Sequence, residues 1–130
     1  MQLPPLNNFF HAKSIAIIGA SPTKGKIGNI ILANLHEGTY KGTTYPVNPN
    51  HKNIAGKKCY PNITSLPTIP ELVIIATPAP TIPLIIRECG EKKARNIIII
   101  SAGFSETGNT TLNNALRGTV GGAGARIIGP

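Results

Sequence analysis

No aspartate occurs in this chain of 130 residues, and five glutamates carry all of its side-chain acid. Tryptophan is also missing, and aromatic residues make up only 5% of the chain. A core without large rings must be aliphatic, here mainly Ile. There are two cysteines, Cys59 and Cys89, with no C-x-x-C pair. Two such residues are not a disulfide framework, which points to a reducing, cytoplasmic setting. Cys89 reads as a small core residue and Cys59 as part of a connection, neither with a catalytic role. No apolar run approaches the length of a membrane span. The N-terminus, Met1 to Asn8, is Pro-rich and lacks the charged and apolar regions of a signal peptide. Partners in a membrane are therefore not expected.

What is present is a positive charge excess and a set of short aliphatic runs. Thirteen Lys and Arg against the five acids give a formal net charge of +8. That balance favours an anionic partner: a phosphorylated small molecule, a nucleic acid or an acidic surface. The lysines are scattered, and no aromatic stacking motif interleaves them, so nucleic acid is disfavoured. At 41% apolar residues the chain can bury a core, and its length suits one domain. We expect an N-terminal extension over 1–8 and a single domain over 9–130.

Apolar runs alternate with amphipathic stretches, the pattern of βαβ units on a parallel sheet. Strands are expected at Ser14 to Ile18, Thr43 to Val47, Leu72 to Ala76, Ile97 to Ile100 and Arg126 to Ile128. The first helix should run from about Ile27 to Glu37, with Ile27, Ile30, Ile31 and Leu35 on its apolar face. The second should be capped by Thr81 and run to about Lys93, burying Ile82, Ile85, Ile86 and Cys89. Pro83 is tolerated in its first turn, and Glu88 and Lys92 are spaced to pair. A weaker helix is expected over 110–120. The connection His51 to Pro70 has little pattern beyond a possible helical turn at Ile63 to Leu66. The expected fold class is therefore α/β: a Rossmann-like open parallel sheet of about five strands with flanking helices. The chain stops directly after the last strand, where a parallel sheet normally continues under further structure. A longer natural polypeptide is the expectation.

Ligands of open parallel sheets bind beyond the carboxyl ends of the strands, at the switch point. That rule gathers Gly19-Ala20-Ser21, Val47-Asn48-Pro49, Thr77-Pro78-Ala79, Ser101-Ala102-Gly103-Phe104 and Gly129-Pro130 around one crevice. The loop Gly19-Ala20-Ser21-Pro22-Thr23-Lys24-Gly25-Lys26-Ile27-Gly28 carries the clearest signal. Gly19 permits a tight turn after the strand, and Gly28 lets the helix begin close to the sheet. The free amides at the helix start suit a phosphate, and Lys24 and Lys26 add charge. The loop is not G-x-G-x-x-G, and no Gly-Lys-Ser/Thr sequence occurs. Nor does an acid follow the second strand to hold ribose hydroxyls, so NAD is disfavoured.

The segments Lys13-Ser14-Ile15-Ala16-Ile17-Ile18-Gly19-Ala20-Ser21, Tyr45-Pro46-Val47-Asn48-Pro49-Asn50, Ile75-Ala76-Thr77-Pro78-Ala79, Ser101 to Gly108 and Ile127-Ile128-Gly129-Pro130 stand in order along nearly the whole chain. On these segments the chain resembles the CoA-binding domain of ADP-forming acyl-CoA synthetases, which is similar to the α subunit of succinyl-CoA synthetase. The resemblance implies that coenzyme A lies over the strand ends. The loop residues Gly19, Ala20, Ser21, Lys24, Lys26, Ile27 and Gly28 would take its phosphates. Val47, Asn48, Pro49 and Lys52 would border the adenosine. Thr77, Pro78, Ser101, Ala102, Gly103 and Phe104 would flank the pantetheine. The resemblance ends before the family's phosphorylated histidine, and the nucleotide site belongs to an ATP-grasp module. His11, His36 and His51 do not match that histidine and read as surface residues. Glu71 stands near where many members carry Asp, and Gly118 to Ala125 is unusually Gly-rich. The implied role is to position CoA within a larger ligase, without catalysis by this segment alone. A stand-alone CoA- or NAD-binding regulatory module, and the regulatory part of a protein lysine acetyltransferase, remain alternatives.

Overall fold

A computed structural model describes residues 12–38 and 40–100, together with the strand Arg126–Ile128. Seven strands occur among them: β1 Ser14–Ile18, β2 Thr43–Val47, β3 Asn53–Ile54, β4 Lys57–Lys58, β5 Leu72–Ile75, β6 Asn96–Ile99 and β7 Arg126–Ile128. Two α-helices, α1 Ile27–Glu37 and α2 Ile82–Lys92, lie between them. Short 3-10 turns form at Ile63–Ser65 and Ala79–Thr81.

Five strands make one parallel sheet in the order β2-β1-β5-β6-β7. The run of Ile, Val and Ala in β1 and β5 follows from burial on both faces, where a parallel sheet has no solvated side. One face carries Ala16, Ile18, Val73, Ile75, Ile97 and Ile99 and packs against Ile82, Ile85, Ile86 and Cys89 of α2. The other carries Ile15, Ile17, Leu72 and Ile74 and packs against Leu32 of α1. The two helices thus cover opposite faces, giving the expected Rossmann-like α/β fold.

Several local features differ from those the sequence led us to expect. In α1 the buried residues are Gly28 and Leu32, with Ile31 and Leu35 partly buried, while Ile27 and Ile30 are 41% and 48% exposed. The helix is rotated by about one residue's turn from its most apolar face. Thr81 does not cap α2; its Oγ1 donates to Pro78 O at 2.6 Å and shares a hydrogen bond with Thr77 Oγ1 at 2.6 Å. Nor does Lys92 pair with Glu88, since its Nζ donates to Leu66 O at 2.6 Å, fastening α2 to the turn before β5. The strand expected over Leu72 to Ala76 ends at Ile75, and β6 is shifted back one residue to Asn96–Ile99. The helix expected over 110–120 lies outside the described residues.

The connection after β2 is more ordered than its sequence indicates. β3 and β4 form a two-stranded hairpin whose loop residues, Ala55 and Gly56, have φ of 52° and 76°. Positive φ at both positions is what tight two-residue hairpins require. Ile54 is buried beneath α1 with Leu32. Beyond the hairpin, Tyr60 bridges Val47 in parallel: Tyr60 N–H donates to Pro46 O at 2.9 Å, and Asn48 N–H donates to Tyr60 O at 2.8 Å. The Tyr60 ring meets Tyr45 edge-on at 5.9 Å.

Thr44 Oγ1 is buried without a hydrogen-bond partner among the described residues. A lone buried hydroxyl costs stability that a methyl of similar shape does not. Thr44→Val should raise the unfolding free energy by about 1 kcal/mol, as read from denaturant unfolding. Both cysteines are free thiols and both are buried. Burial, with a smaller contribution from the Glu88 charge, pushes the Cys89 thiol up to about 12 from 9.0. The unfolded thiol ionises first as pH rises, so this contribution to stability is complete below pH 9.0 and is lost on approaching about 12. Iodoacetamide at neutral pH should leave Cys89 unmodified in the native chain and label it in denaturant; native labelling, read by mass spectrometry, would contradict this packing.

Candidate functional site

The sheet order reverses direction between β1 and β5, because α1 leads from β1 to β2 and α2 leads from β5 to β6 in the opposite sense. The strand tips are held level by hydrogen bonds that continue the ladders. Gly19 N–H donates to Val47 O (3.0 Å), Ala76 N–H to Ile18 O (2.8 Å) and Ile100 N–H to Ile75 O (2.8 Å). Over these tips lies a cleft of about 730 Å³.

Two glycines shape its floor. Gly19 has φ of 92°, and a Cβ there would lie 2.8 Å from Ala76 O across the switch point. A Cβ on Gly28 would fall onto the carbonyl oxygen of Gly19. Only glycine lets the first turn of α1 come so close to the tip of β1. Lys26 precedes the helix without a side-chain cap, and no acid occupies the first turn. The first-turn N–H groups of α1 are therefore not satisfied by a capping side chain. Lys26, Ile27 and Gly28 all line the cleft.

The loop before α1 is fixed from within and from β2. Ser21 Oγ accepts from Thr23 N–H at 3.0 Å, and Ser21 O accepts from Asn29 Nδ2 at 3.1 Å. Asn48 spans the two loops: its Nδ2 donates to Ala20 O at 2.9 Å while its Oδ1 accepts from Asn50 N–H at 2.8 Å. Its backbone oxygen accepts weakly from Cys59 Sγ at 3.5 Å. That side chain works as a tie between β1 and β2 loops.

Of the residues named from sequence, Gly19, Ser21, Lys26, Ile27, Gly28, Val47, Asn48, Pro49, Thr77 and Pro78 line this one cleft. Ala20, Lys24 and Lys52 do not. Ala20 is buried and supports the loop through its carbonyl, whereas Lys24 and Lys52 are exposed. Ser101, Ala102, Gly103 and Phe104 lie outside the described residues. Sequence reasoning missed the wall formed by Pro61, Asn62, Ile63, Thr81, Ile85, Glu88 and Ile100. The connection from His51 to Pro70 offered no periodicity to place Asn62, and Glu88 was assigned to a helix-surface ion pair. Burial, aided by the Glu91 charge, pushes the Glu88 carboxyl above the usual carboxylate range. Among the described residues there is no cluster of His, Cys, Asp or Glu suited to a metal ion. No helix among them is long and apolar enough to cross a membrane.

Residues 13–130 match the family described as CoA binding domain. The chain belongs to that family. This CoA binding domain is 39% identical over 127 residues to the ADP-forming acetate–CoA ligase I of Archaeoglobus fulgidus. That alignment spans 96% of the domain and 18% of the relative. The fold is similar to that of acetyl-coenzyme A synthetase 1 of Candidatus Korarchaeum cryptofilum, solved with phosphate and ADP. There the TM-score is 0.89 at 34% identity, over 96% of this chain and 27% of the other. A conserved hypothetical protein of Pyrococcus furiosus is similar at TM-score 0.74 and 26% identity, covering 90% of this chain and 92% of its own. The domain thus spans about a fifth to a quarter of the length of the ligase relatives it matches.

Asn48→Asp keeps the oxygen that accepts from Asn50 but replaces the donor to Ala20 O with a second oxygen. The carboxylate then faces a carbonyl, so stability should fall by about 1–2 kcal/mol in denaturant unfolding. An unchanged midpoint would remove the tie from the account of the loop.

Proposed function

We propose that the cleft binds coenzyme A and presents it to the remainder of an ADP-forming acyl-CoA ligase. The supporting observation is the cleft's make-up at the switch point. One side is an uncapped helix start with Lys26, suited to phosphate; the floor is glycine and small residues; the other side is apolar with a few polar groups. Coenzyme A matches that polarity, being polyanionic at one end with a slender, mostly uncharged arm. Phosphate would lie against Gly19, Ser21, Lys26 and Gly28, with Lys24 near enough along the loop to add long-range attraction. The adenosine would run along Val47 and Pro49 towards Lys52. The pantetheine would cross Thr77 and Pro78 towards Ser101, Ala102, Gly103 and Phe104.

In this reading CoA is a substrate whose thiol the domain positions. Acid, CoA and nucleoside triphosphate would be joined through acyl phosphate and a phosphohistidine carried elsewhere in the longer enzyme, with an ATP-grasp module supplying the nucleotide site. None of His36, His51 or the two buried thiols lines the cleft. Two unpaired thiols fit a cytoplasmic location. A second reading, a stand-alone CoA-binding module without catalysis, draws on length alone: the conserved hypothetical Pyrococcus protein is covered almost end to end by this chain.

Thermal denaturation with CoA, 3′-dephospho-CoA and NAD tests the binding. A ligand at about 100 times its Kd adds about 2.7 kcal/mol of stability. CoA should raise the midpoint most, 3′-dephospho-CoA less, and NAD least; a larger shift with NAD would overturn the assignment. The purified 130-residue chain supplied with acid, CoA and ATP should form no acyl-CoA. Formation would show that catalysis resides here after all. Adding the phosphohistidine and ATP-grasp portions of a relative should restore product under the ligase reading and not under the module reading.

A further inference from the structure

The cleft wall built by α2 and the turn before β5 carries two polar side chains of opposite hydrogen-bonding character. Asn62 opens the turn Ile63–Ser65, and its Oδ1 accepts from Ser65 N–H at 2.9 Å and from Thr64 Oγ1 at 2.8 Å. A backbone N–H can only donate, so the atom it meets must be the amide oxygen. The orientation of the Asn62 amide is thereby fixed, and its Nδ2 group is left as a donor. Glu88 stands on α2 one turn before Lys92, whose Nζ reaches Leu66 O just past the same turn. Asn62 and Glu88 both line the cleft, with Ile63 and Ile85. Glu88 is half-buried, and no hydrogen bond reaches its carboxylate among the described residues. A carboxylate losing water without gaining a donor is disfavoured, and an N–H group arriving with a ligand would offset that cost.

We propose that Asn62 and Glu88 read an amide of the pantetheine arm, Nδ2 donating to its carbonyl and the Glu88 carboxylate accepting from its N–H. This rests on the CoA reading above and names the side chains that would hold its arm. Phosphates go to the α1 side, where Lys26 and the helix start are electropositive. The uncharged amides go to the α2 side, where a carboxylate would repel phosphate. An adenine edge also offers a donor beside an acceptor. However, the 3′-phosphate would accompany the adenosine towards Glu88, like charge against like. The slender aliphatic neighbours suit a chain of methylenes and amides.

Isothermal titration of the wild-type chain, Glu88→Ala and Asn62→Ser against CoA, 4′-phosphopantetheine and 3′,5′-ADP separates the possibilities. Asn62→Ser keeps an oxygen suited to cap the turn and removes the amide donor without a change of charge, so the local fold is retained. Each variant should weaken CoA and 4′-phosphopantetheine by about tenfold and leave 3′,5′-ADP unchanged. Glu88→Gln, which keeps an acceptor oxygen, should retain most of the affinity. Loss confined to 3′,5′-ADP would place the adenine here instead, and no loss with any ligand would remove the pair from recognition; either result overturns the inference while CoA binding stands. Failure of the wild-type chain to bind CoA would overturn the CoA reading and the inference with it.

Discussion

The candidate site depends on one close contact, the backbone of Gly28 against the carbonyl of Gly19. A helix can normally approach a strand tip only as near as its side chains allow. Here the first turn of α1 rests on the β1 loop with no Cβ between them. That approach sets the helix start beside the sheet's switch point and so decides where positive potential falls. It also decides how α1 is rotated. With glycine pressed inward, the residues that share its side of the helix, Leu32, Ile31 and Leu35, face the sheet. Ile27 and Ile30 are carried outward despite being the more apolar choice.

This explains where the sequence was readable and where it was not. Strands buried on both faces announce themselves as aliphatic runs, and β1 begins and ends where its run does. The face of α2 was equally legible, because its buried residues, Ile82, Ile85, Ile86 and Cys89, include no glycine. In α1 the hydrophobic pattern pointed one way and the glycine contact another, and the backbone constraint prevailed. The β3–β4 hairpin escaped notice because its loop is Ala55-Gly56, without the Asn-Gly or Asp-Gly pair that usually signals such a turn. Of the cleft, the glycine loop and the strand-end residues were visible as motifs. Its far wall was not, since Asn62 and Glu88 come from segments whose positions only the folded sheet brings together.

Proximity to the cleft also separates into different kinds of work. Asn48 sits in a segment that the family resemblance associates with the ligand, yet each end of its side chain is engaged in holding loops together. Its contribution is to keep the β1 and β2 loops at one spacing. Ala20 contributes in the same indirect way, through its carbonyl. Lys26 and Glu88, by contrast, bring opposite charges to opposite walls of the same cleft, so the cavity has a built-in polarity that a symmetrical ligand would not exploit.

The bridge between Val47 and Tyr60 bears on a different property. β2 is an outer strand of the sheet, and an outer strand ordinarily leaves a row of backbone donors and acceptors open to another chain. Tyr60 occupies those groups at Pro46 and Asn48, and its ring is braced by Tyr45. The end of β2 that borders the cleft is therefore closed to strand addition, so recognition there falls to side chains and loops. A sequence change that loosened Tyr60 would expose an adhesive margin beside the cleft, with self-association as the expected liability.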